Sequence, residues 1–476
     1  MSSTFMGLEL GKRALYAQQA ALNTTGHNIA NANTNGYTRQ RAEMQATPAI
    51  PYPGMNAAAG PAQLGTGVEV NKISRLREDY LDVQYRGQNK DLGYYEAKSD
   101  TYTKIEELFK EPSDTGIANA MDQFWQGWEE LSKSPDSSAA RAVVRQRGVA
   151  LTEAFQYAND SLNQMTSDLN NVISVDVNNI NSIAKQISDL NDQIARLVPN
   201  NYEPNDLYDK RDVLIDQLSK LVNVDVKPSS AGNGMVDVFV SGQALVQGQA
   251  CNSMSYTSNN NTIQVSIGNN PIGLQSGELL GRIEAVTKII PGIQDEMNQL
   301  ENAFVAKVNE LHKSGLTMDD IANQTKTPPV TQTDQLDFFT KDNGNWVVNP
   351  VIMQSLNKIA AATKASVGDG SNSQAIADIK STILTINNSS TTAGDFYQNI
   401  IGQLGVDSQQ AQRMQENTQT LLNQVDNRRQ SISGVSMDEE MTNMIRFQQA
   451  YNAAARIVTT MDEVLDKVIN GMGATR

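Results

Sequence analysis

Residues 444–472, MIRFQQAYNAAARIVTTMDEVLDKVINGM, decide the fold because their apolar side chains alternate strictly between spacings of three and four. That spacing places one apolar seam along one side of an α-helix, as in coiled coils. We therefore expect a second helix to cover this side. The seam residues are Met444, Phe447, Tyr451, Ala454, Val458, Met461, Leu465, Val468 and Met472.

The beginning of the chain carries a matching repeat. Its members recur every seven residues and are Leu8, Leu15, Leu22 and Ile29. A helix that leaves one end and a helix that returns to the other run antiparallel if they pair. We therefore predict a terminal coiled-coil domain built from residues 1–45 and 436–476. Alanines beside the first repeat allow further helices to approach, so we expect the ends to become fully ordered against neighbouring copies.

The middle of the chain is mainly helical by periodicity. It predicts an elongated helical bundle from residues 68–221 and 277–435. Residues 222–276 differ, because they contain alternating apolar runs and no charge after Asp237, and they predict a small inserted antiparallel β subdomain. The polar, turn-rich residues 314–349 predict an excursion over the surface. The expected fold class is mainly α.

Composition excludes several functions. The chain has 476 residues and a net charge of −15, which argues against nucleic acid or an anionic membrane as a partner. No apolar run approaches the roughly 20 residues that span a bilayer, and the first residues do not read as a secretory signal. Cys251 is the only cysteine and His27 and His312 are the only histidines, so we expect no cofactor, no metal site and no catalysis.

Three local motifs have structural interpretations. The asparagine-rich run 28–37 ends the first helix, although it holds more asparagine than a helix cap needs. Ser436 and Glu439 have the spacing of a capping box at the start of the last helix. The aromatic residues of 124–128 are expected to anchor the core.

These residues also carry a family resemblance. Residues 28–40, NIANANTNGYTRQ, resemble the N-terminal signature of flagellar rod, hook and hook-associated proteins. Other stretches resemble more narrowly the hook-associated protein 1 family, whose members form the hook–filament junction. Those stretches are residues 124–141, 276–281, 308–312, 433–441 and 448–451.

The resemblance implies a structural protein of the bacterial flagellum. Terminal helices would line the axial tube, and copies would assemble into a helical layer that contacts hook protein and the second junction protein. The family leaves the cell through the type III export channel without cleavage, and a chaperone is expected on the C-terminal helix. Only residues 338–346 stand where many members carry large outer β domains, so most of that insertion is expected to be missing.

The predicted assembly residues belong to the two repeats and to the asparagine-rich run. They are Leu8, Leu15, Leu22, Ile29, Asn31, Asn35, Gly36, Tyr37, Met444, Phe447, Tyr451, Ala454, Val458, Met461, Leu465 and Val468. Alternatives are another axial protein similar to hook protein or flagellin, an exported enzyme, and a surface adhesin that binds through the β subdomain. The near absence of charge and the absence of histidine in that subdomain weigh against the enzyme.

Overall fold

The computed structural model describes residues 5–50, 64–111, 113, 116–259, 262–324, 326, 334–387 and 389–471. Met472 of the predicted seam and residues 51–63 of the first long loop lie outside these ranges. The mainly α fold is confirmed. The helices are α1 (Met6–Ala30), α2 (Asp79–Phe109), α3 (Ile117–Lys133), α4 (Ser138–Leu197), α5 (Asn205–Leu221), α6 (Glu278–Glu284), α7 (Ile290–Ser314), α8 (Met318–Gln324), α9 (Pro350–Gln354), α10 (Ser371–Ala377), α11 (Ala393–Ser433) and α12 (Met437–Asp466).

Long helices give the bundle its shape. Helix α4 has 60 residues, which corresponds to a length of about 90 Å. It begins where the Ser137 side chain accepts a hydrogen bond from the Ala140 backbone N–H at 3.3 Å, and a short turn that contains Pro199 follows its end. Helix α11 packs along α2. The small sheets described next pack on α4.

Short antiparallel strands complete the architecture. Strands β3–β6 form one sheet in chain order and β7–β9 form another, and both dock on α4. Asn181 Nδ2 of α4 donates to Met254 O, and Asn191 Nδ2 donates to Val236 O, each at 2.8 Å. The strands are β1 (Gln40–Ala46), β2 (Val68–Arg75), β3 (Val224–Pro228), β4 (Val236–Val240), β5 (Gln243–Gln247), β6 (Ala250–Cys251), β7 (Met254–Asn259), β8 (Thr262–Ile267), β9 (Asn270–Ile272), β10 (Phe339–Asp342), β11 (Asn345–Val348), β12 (Leu384–Ile386) and β13 (Ser389–Thr391).

The interpretation of residues 314–349 as a surface excursion is wrong for the described residues that lead into the β10–β11 hairpin. Strands β10 and β11 form a hairpin, and Phe338 and Phe339 at its start are fully buried. Their rings lie 4.8 Å apart and pack on Phe124. Buried aromatic area outweighs the polarity of the surrounding sequence, so Phe338 and Phe339 are part of the core, whereas residues 341–344 at the turn of the hairpin are exposed.

Strands β1 and β2 change one predicted boundary. Residues 40–46 pair with residues 68–75 along their whole length, with Gln40 opposite Arg75 and Ala46 opposite Val68. The predicted boundary between the terminal domain, which ends at residue 45, and the helical bundle, which begins at residue 68, therefore separates the two strands of one hairpin. Residues 68–75 are a strand that packs on α1 rather than part of a helical bundle.

Candidate assembly interface

Helices α1 and α12 pack against each other at the two ends of the chain. The face of α1 that contacts α12 has very short side chains. A Cβ atom added at Gly7 would lie 2.6 Å from Met461 Sδ, and one added at Gly11 would lie 2.7 Å from Val458 Cγ2. The flexible Met461 side chain could shift away from a Cβ at position 7, but Val458 is β-branched and stiff, so the close approach depends mainly on Gly11. The large side chains of α12 fill the space.

The contacts define one antiparallel register. Gly7 lies at Met461, Gly11 at Val458, and Asn28 at Glu440, so each step along α1 matches a step back along α12. Ala21 and Phe447 line one small cavity, as the same register requires. We call Gly7, Gly11, Ala21 and Asn28 the short-residue stripe.

The predicted N-terminal seam is not the stripe that contacts α12 most closely. Leu8, Leu22 and Ile29 each come one residue after a member of the short-residue stripe. They therefore lie about 100° around the helix from that stripe. All four members of the predicted seam, which we call the leucine stripe, are only partly buried. The close helix contact is made by small residues because only they let the backbones approach. The leucine stripe is Leu8, Leu15, Leu22 and Ile29.

The predicted C-terminal seam faces α1 over much of its length. Ala454 is buried, and Val468 is 42% exposed. The others are partly buried, namely Met444, Phe447, Tyr451, Val458, Met461 and Leu465. Other apolar side chains of α12 remain uncovered, including Ile445 at 61% and Val464 at 50% exposure. The paired helices of one chain therefore leave apolar surface in water.

The asparagine-rich run serves contacts within the chain. Asn31 Nδ2 donates to His27 O at 3.0 Å and helps to end α1. Gly36 has φ +77°, and a Cβ there would overlap Val213 of α5. Asn35 is exposed. Tyr37 O–H donates to Asn28 Oδ1 at 2.8 Å, and burial and neighbouring carboxylates raise the pKa of Tyr37, which keeps it a donor.

Asn28, which was not among the predicted site residues, explains the extra asparagine. Its Nδ2 donates to Gln40 O at 2.8 Å and to Glu440 Oε2 at 3.0 Å. Its Oδ1 accepts from the Gln40 N–H at 2.9 Å as well as from Tyr37. One buried side chain thus joins α1, β1 and the start of α12.

The capping-box interpretation of Ser436 and Glu439 is wrong. The Ser436 side chain makes no capping hydrogen bond. Arg39 instead binds the acidic run: its Nη1 donates to Glu439 Oε2 at 2.6 Å, and its Nε donates to Glu440 Oε1 at 2.8 Å. Glu440 is 2% exposed, so Arg39 and Asn28 supply the partners that a buried carboxylate needs.

A network of charged side chains connects the end of strand β2 to helices α2 and α5 of the body. Arg75 Nη1 lies 2.8 Å from both Asp209 Oδ1 and Asp212 Oδ2, and Arg77 Nη1 lies 3.2 Å from Asp212 Oδ2. Arg86 binds Asp216 Oδ1 at 2.8 Å. Burial by itself would raise the pKa of Asp212, but Arg77, Arg75 and Arg86 hold it below its usual value. We call these groups the joint network.

The sequence contained a signal for the joint network that the periodicity search missed. Asp209, Asp212 and Asp216 stand at spacings of three and four, which place them on one face of α5. Arg75 is the last residue of β2, and Arg77 stands two residues after it. Their partners could not be assigned, because the pairs join segments about 130 residues apart.

In the described part of the chain, no group of three or more His, Cys, Asp or Glu side chains is arranged to hold a metal ion. His312 is fully buried and structural, since its Nδ1 donates to Leu336 O at 2.7 Å and its Nε2 accepts from the Ala360 N–H at 3.0 Å. No helix in the described residues has the length and hydropathy to cross a membrane.

Comparison with protein families gives three matches along the chain. Residues 102–325 match the family described as "Flagellar hook-associated protein FlgK helical domain". Residues 8–38 match "Flagella basal body rod protein", and residues 427–471 match "Flagellar basal body rod FlgEFG protein C-terminal". The matches at the two ends contain the paired helices.

Full-length relatives agree with these matches. The chain is 38% identical to flagellar hook-associated protein 1 of Bacillus subtilis, over 99% of both chains. It is 26% identical to the protein of that name from Escherichia coli, over 96% of this chain and 98% of the relative. A solved structure of the flagellar hook junction protein FlgK from Burkholderia pseudomallei shares the fold, with a TM-score of 0.61 at 15% identity, covering 75% of this chain and all of the other. The predicted family is confirmed, and this chain belongs to the flagellar hook-associated protein 1 family.

Proposed function

We propose that the chain is a structural component of the bacterial flagellum that joins hook to filament by packing and not by catalysis. Copies assemble into a helical layer through their terminal helices, with hook protein on one side and the second junction protein on the other. Family membership supports the location. The observation that carries the mechanism is the uncovered apolar surface of α12, where Ile445, Ile457 and Val464 are 61%, 40% and 50% exposed.

Burying such side chains would stabilise an assembly. Each large aliphatic side chain contributes about 1.5–3 kcal/mol when it is fully removed from water. Contacts between different faces of successive copies build helical layers rather than closed dimers. The same surface would favour aggregation before export, which supports a chaperone on α12 in the cytosol and export to the cell surface without cleavage.

The domain division is part of this proposal. The inner assembly domain comprises residues 1–45 and 436–476, the helical body comprises residues 76–221 and 277–435, and residues 222–276 form a β subdomain outside the body. Strands β1 and β2 bridge the first two parts. The joint network would then fix the angle between the inner helices and the body in every copy.

Two aspartate variants with matched chemistry test the mechanism. Ile445 of α12 and Ile383 of the body are exposed to 61% and 69%, so each change should alter the stability of the isolated chain by less than about 0.5 kcal/mol. We expect Ile445→Asp to abolish filament attachment and motility, because an unpaired charge would be buried between copies. Ile383→Asp should leave both intact. Equal motility of the two variants would contradict the proposal.

Deletion of the gene tests the location in the flagellum. Electron microscopy of the deletion strain should show hooks without filaments, and flagellin should appear in the medium. Intact filaments would reject the junction role. Reduced cell adhesion with normal filaments would favour an adhesin instead.

A further inference from the structure

A polar cleft of about 400 Å³ lies in the body between α4, α7 and the β10–β11 hairpin, and its walls come from these three elements. Helical spacing builds one wall, because Asn298, Glu301 and Asn302 stand three and four residues apart and share one face of α7. The hairpin contributes Lys341 and Trp346, which pair across its two strands. The fold thus brings a carboxylate, an ammonium group, amides and an indole ring together in one cleft.

The carboxylate of Glu301 lacks a donor. It is partly buried and, among the described residues, has no hydrogen-bond or ion-pair partner. Burial raises the pKa of Glu301 to about 7, and the charge of Lys341 only partly offsets this rise. Removing a carboxylate from water is costly unless donors replace the lost hydrogen bonds. A ligand that supplies O–H or N–H groups would therefore be stabilised beside Glu301.

The indole ring of Trp346 forms a wall whose polar atom is already satisfied. Its Nε1 donates to Asn302 Oδ1 at 2.9 Å, which fixes the ring. Lys341 Nζ lies 4.9 Å from the ring centroid, but this lysine is exposed and can rotate away. The ring then offers an apolar surface. The C–H face of a sugar ring fits such a surface, because its hydroxyl groups point outward and stay free for hydrogen bonds.

The charges of the cleft favour an uncharged ligand. An anion would meet the carboxylate of Glu301, and a cation would meet the ammonium group of Lys341. The side-chain amides of Gln156 on α4 and Asn298 are exposed, and each can both donate to and accept from a hydroxyl group. The volume of the cleft lies within the range of about 300–1,000 Å³ that is typical of small-molecule sites.

We propose that this cleft binds a neutral mono- or disaccharide. One sugar ring packs on Trp346, and its hydroxyl groups donate to Glu301 and form hydrogen bonds with Gln156 and Asn298. The site belongs to the body of the chain, so the proposal stands independently of assembly through the terminal helices.

Titration of the full chain with sugars tests the proposal. Trp346 is partly exposed, whereas Trp125 and Trp128, the other two tryptophans, are buried, so a change in fluorescence reports on the cleft. The probes are glucose, galactose, N-acetylglucosamine and their β-linked disaccharides. We expect at least one of them to give a saturable change with a dissociation constant in the millimolar range or below.

Matched glutamine variants on α7 assign the binding to the cleft. Glu301→Gln removes the carboxylate of the cleft, and Glu310→Gln changes an exposed glutamate that pairs with Lys307 outside it. We expect Glu301→Gln to weaken binding about ten-fold, because hydrogen bonds to a charged acceptor are the stronger ones. Glu310→Gln should bind as the unchanged chain does, and circular dichroism checks that both variants fold.

Three results would overturn the proposal. The first is a folded chain that gives no saturable response to any of these sugars. The second is equal affinity of Glu301→Gln and Glu310→Gln for a sugar that binds, which would place that sugar elsewhere. The third is a response to succinate or ethylamine without a response to sugars, which would assign the cleft to a charged ligand.

Discussion

Gly11→Ala and Gly26→Ala place the same methyl group on the same helix with opposite expected effects. At Gly26 no atom lies within 4 Å of the added Cβ, whereas at Gly11 the Cβ would be 2.7 Å from Val458 Cγ2. Alanine is favoured over glycine in a helix interior by about 1 kcal/mol. Overpacking at a tight contact costs about 1–3 kcal/mol.

The balance differs between the two sites. Gly26→Ala should stabilise the paired helices by about 0.5–1 kcal/mol. Gly11→Ala should destabilise them by roughly 1 kcal/mol, since the steric cost exceeds the gain in helix propensity. The double variant Gly11→Ala, Val458→Ala removes the clash and should recover part of this loss. Local stability is the relevant quantity, because a multidomain chain need not unfold in one step.

Amide hydrogen exchange of α1 and α12 in the full chain measures it directly. Exchange should become faster in Gly11→Ala and slower in Gly26→Ala, by about five-fold for each kcal/mol. Exchange in α4 serves as an internal reference. The same change in both single variants, or no recovery in the double variant, would refute the close packing of α1 on α12.

The remaining predictions concern charged and titratable groups. Glu440→Ala should destabilise docking of α12 by about 1–3 kcal/mol, because Arg39 and Asn28 each lose a hydrogen bond to the buried carboxylate, although Arg39 keeps Glu439 and Asn28 keeps Gln40 O. Glu439→Ala, at an exposed carboxylate, should cost less than about 1 kcal/mol, and amide exchange of α12 distinguishes the two variants. Arg77, Arg75 and Arg86 hold the pKa of Asp212 below its usual value. The ionised Asp212 therefore stabilises the fold fully above the pKa that it has in the unfolded chain, and this stabilisation is lost as the pH falls through its lower pKa in the folded chain. Asp212→Asn should remove this acid dependence from urea unfolding. Burial lowers the pKa of His312 to about 4. The free energy of unfolding should therefore be highest above pH about 6.5 and fall by about 3 kcal/mol towards pH 4, because the unfolded chain takes up the proton first. His312→Gln should flatten this slope, and an unchanged slope would exclude the histidine as its source.

The sequence was sufficient for the helices and the family. The spacing of Phe447, Tyr451 and Val458 defines one side of α12 whatever it packs against, because helix geometry is local. Phe124 and Trp128 were expected in the core and are fully buried. Residues 28–40 indicated a flagellar rod, hook or hook-associated protein, and residues such as 124–141 and 433–441 indicated the hook-associated protein 1 family, before any contact was known.

Tertiary structure decided which faces meet. Sequence periodicity predicts the leucine stripe as the contact surface, because it detects only large apolar side chains. The closest contact of α1 with α12 is instead at Gly7 and Gly11, where the missing side chains allow the backbones to approach. Phe338 is buried despite its polar neighbours for a similar reason, since packing area and not local polarity determines burial. Sequence periodicity cannot show this, because close packing depends on both surfaces at once.

The contacts of Asn28 and Arg39 with the start of α12 depend even more on the folded chain. Asn28 and Glu440 are 412 residues apart, and Arg39 and Glu439 are 400 apart. Read locally, Glu439 is a helix-capping residue and Asn28 is one asparagine among several. Only the fold brings them together, because a buried carboxylate must find its partners wherever the chain supplies them.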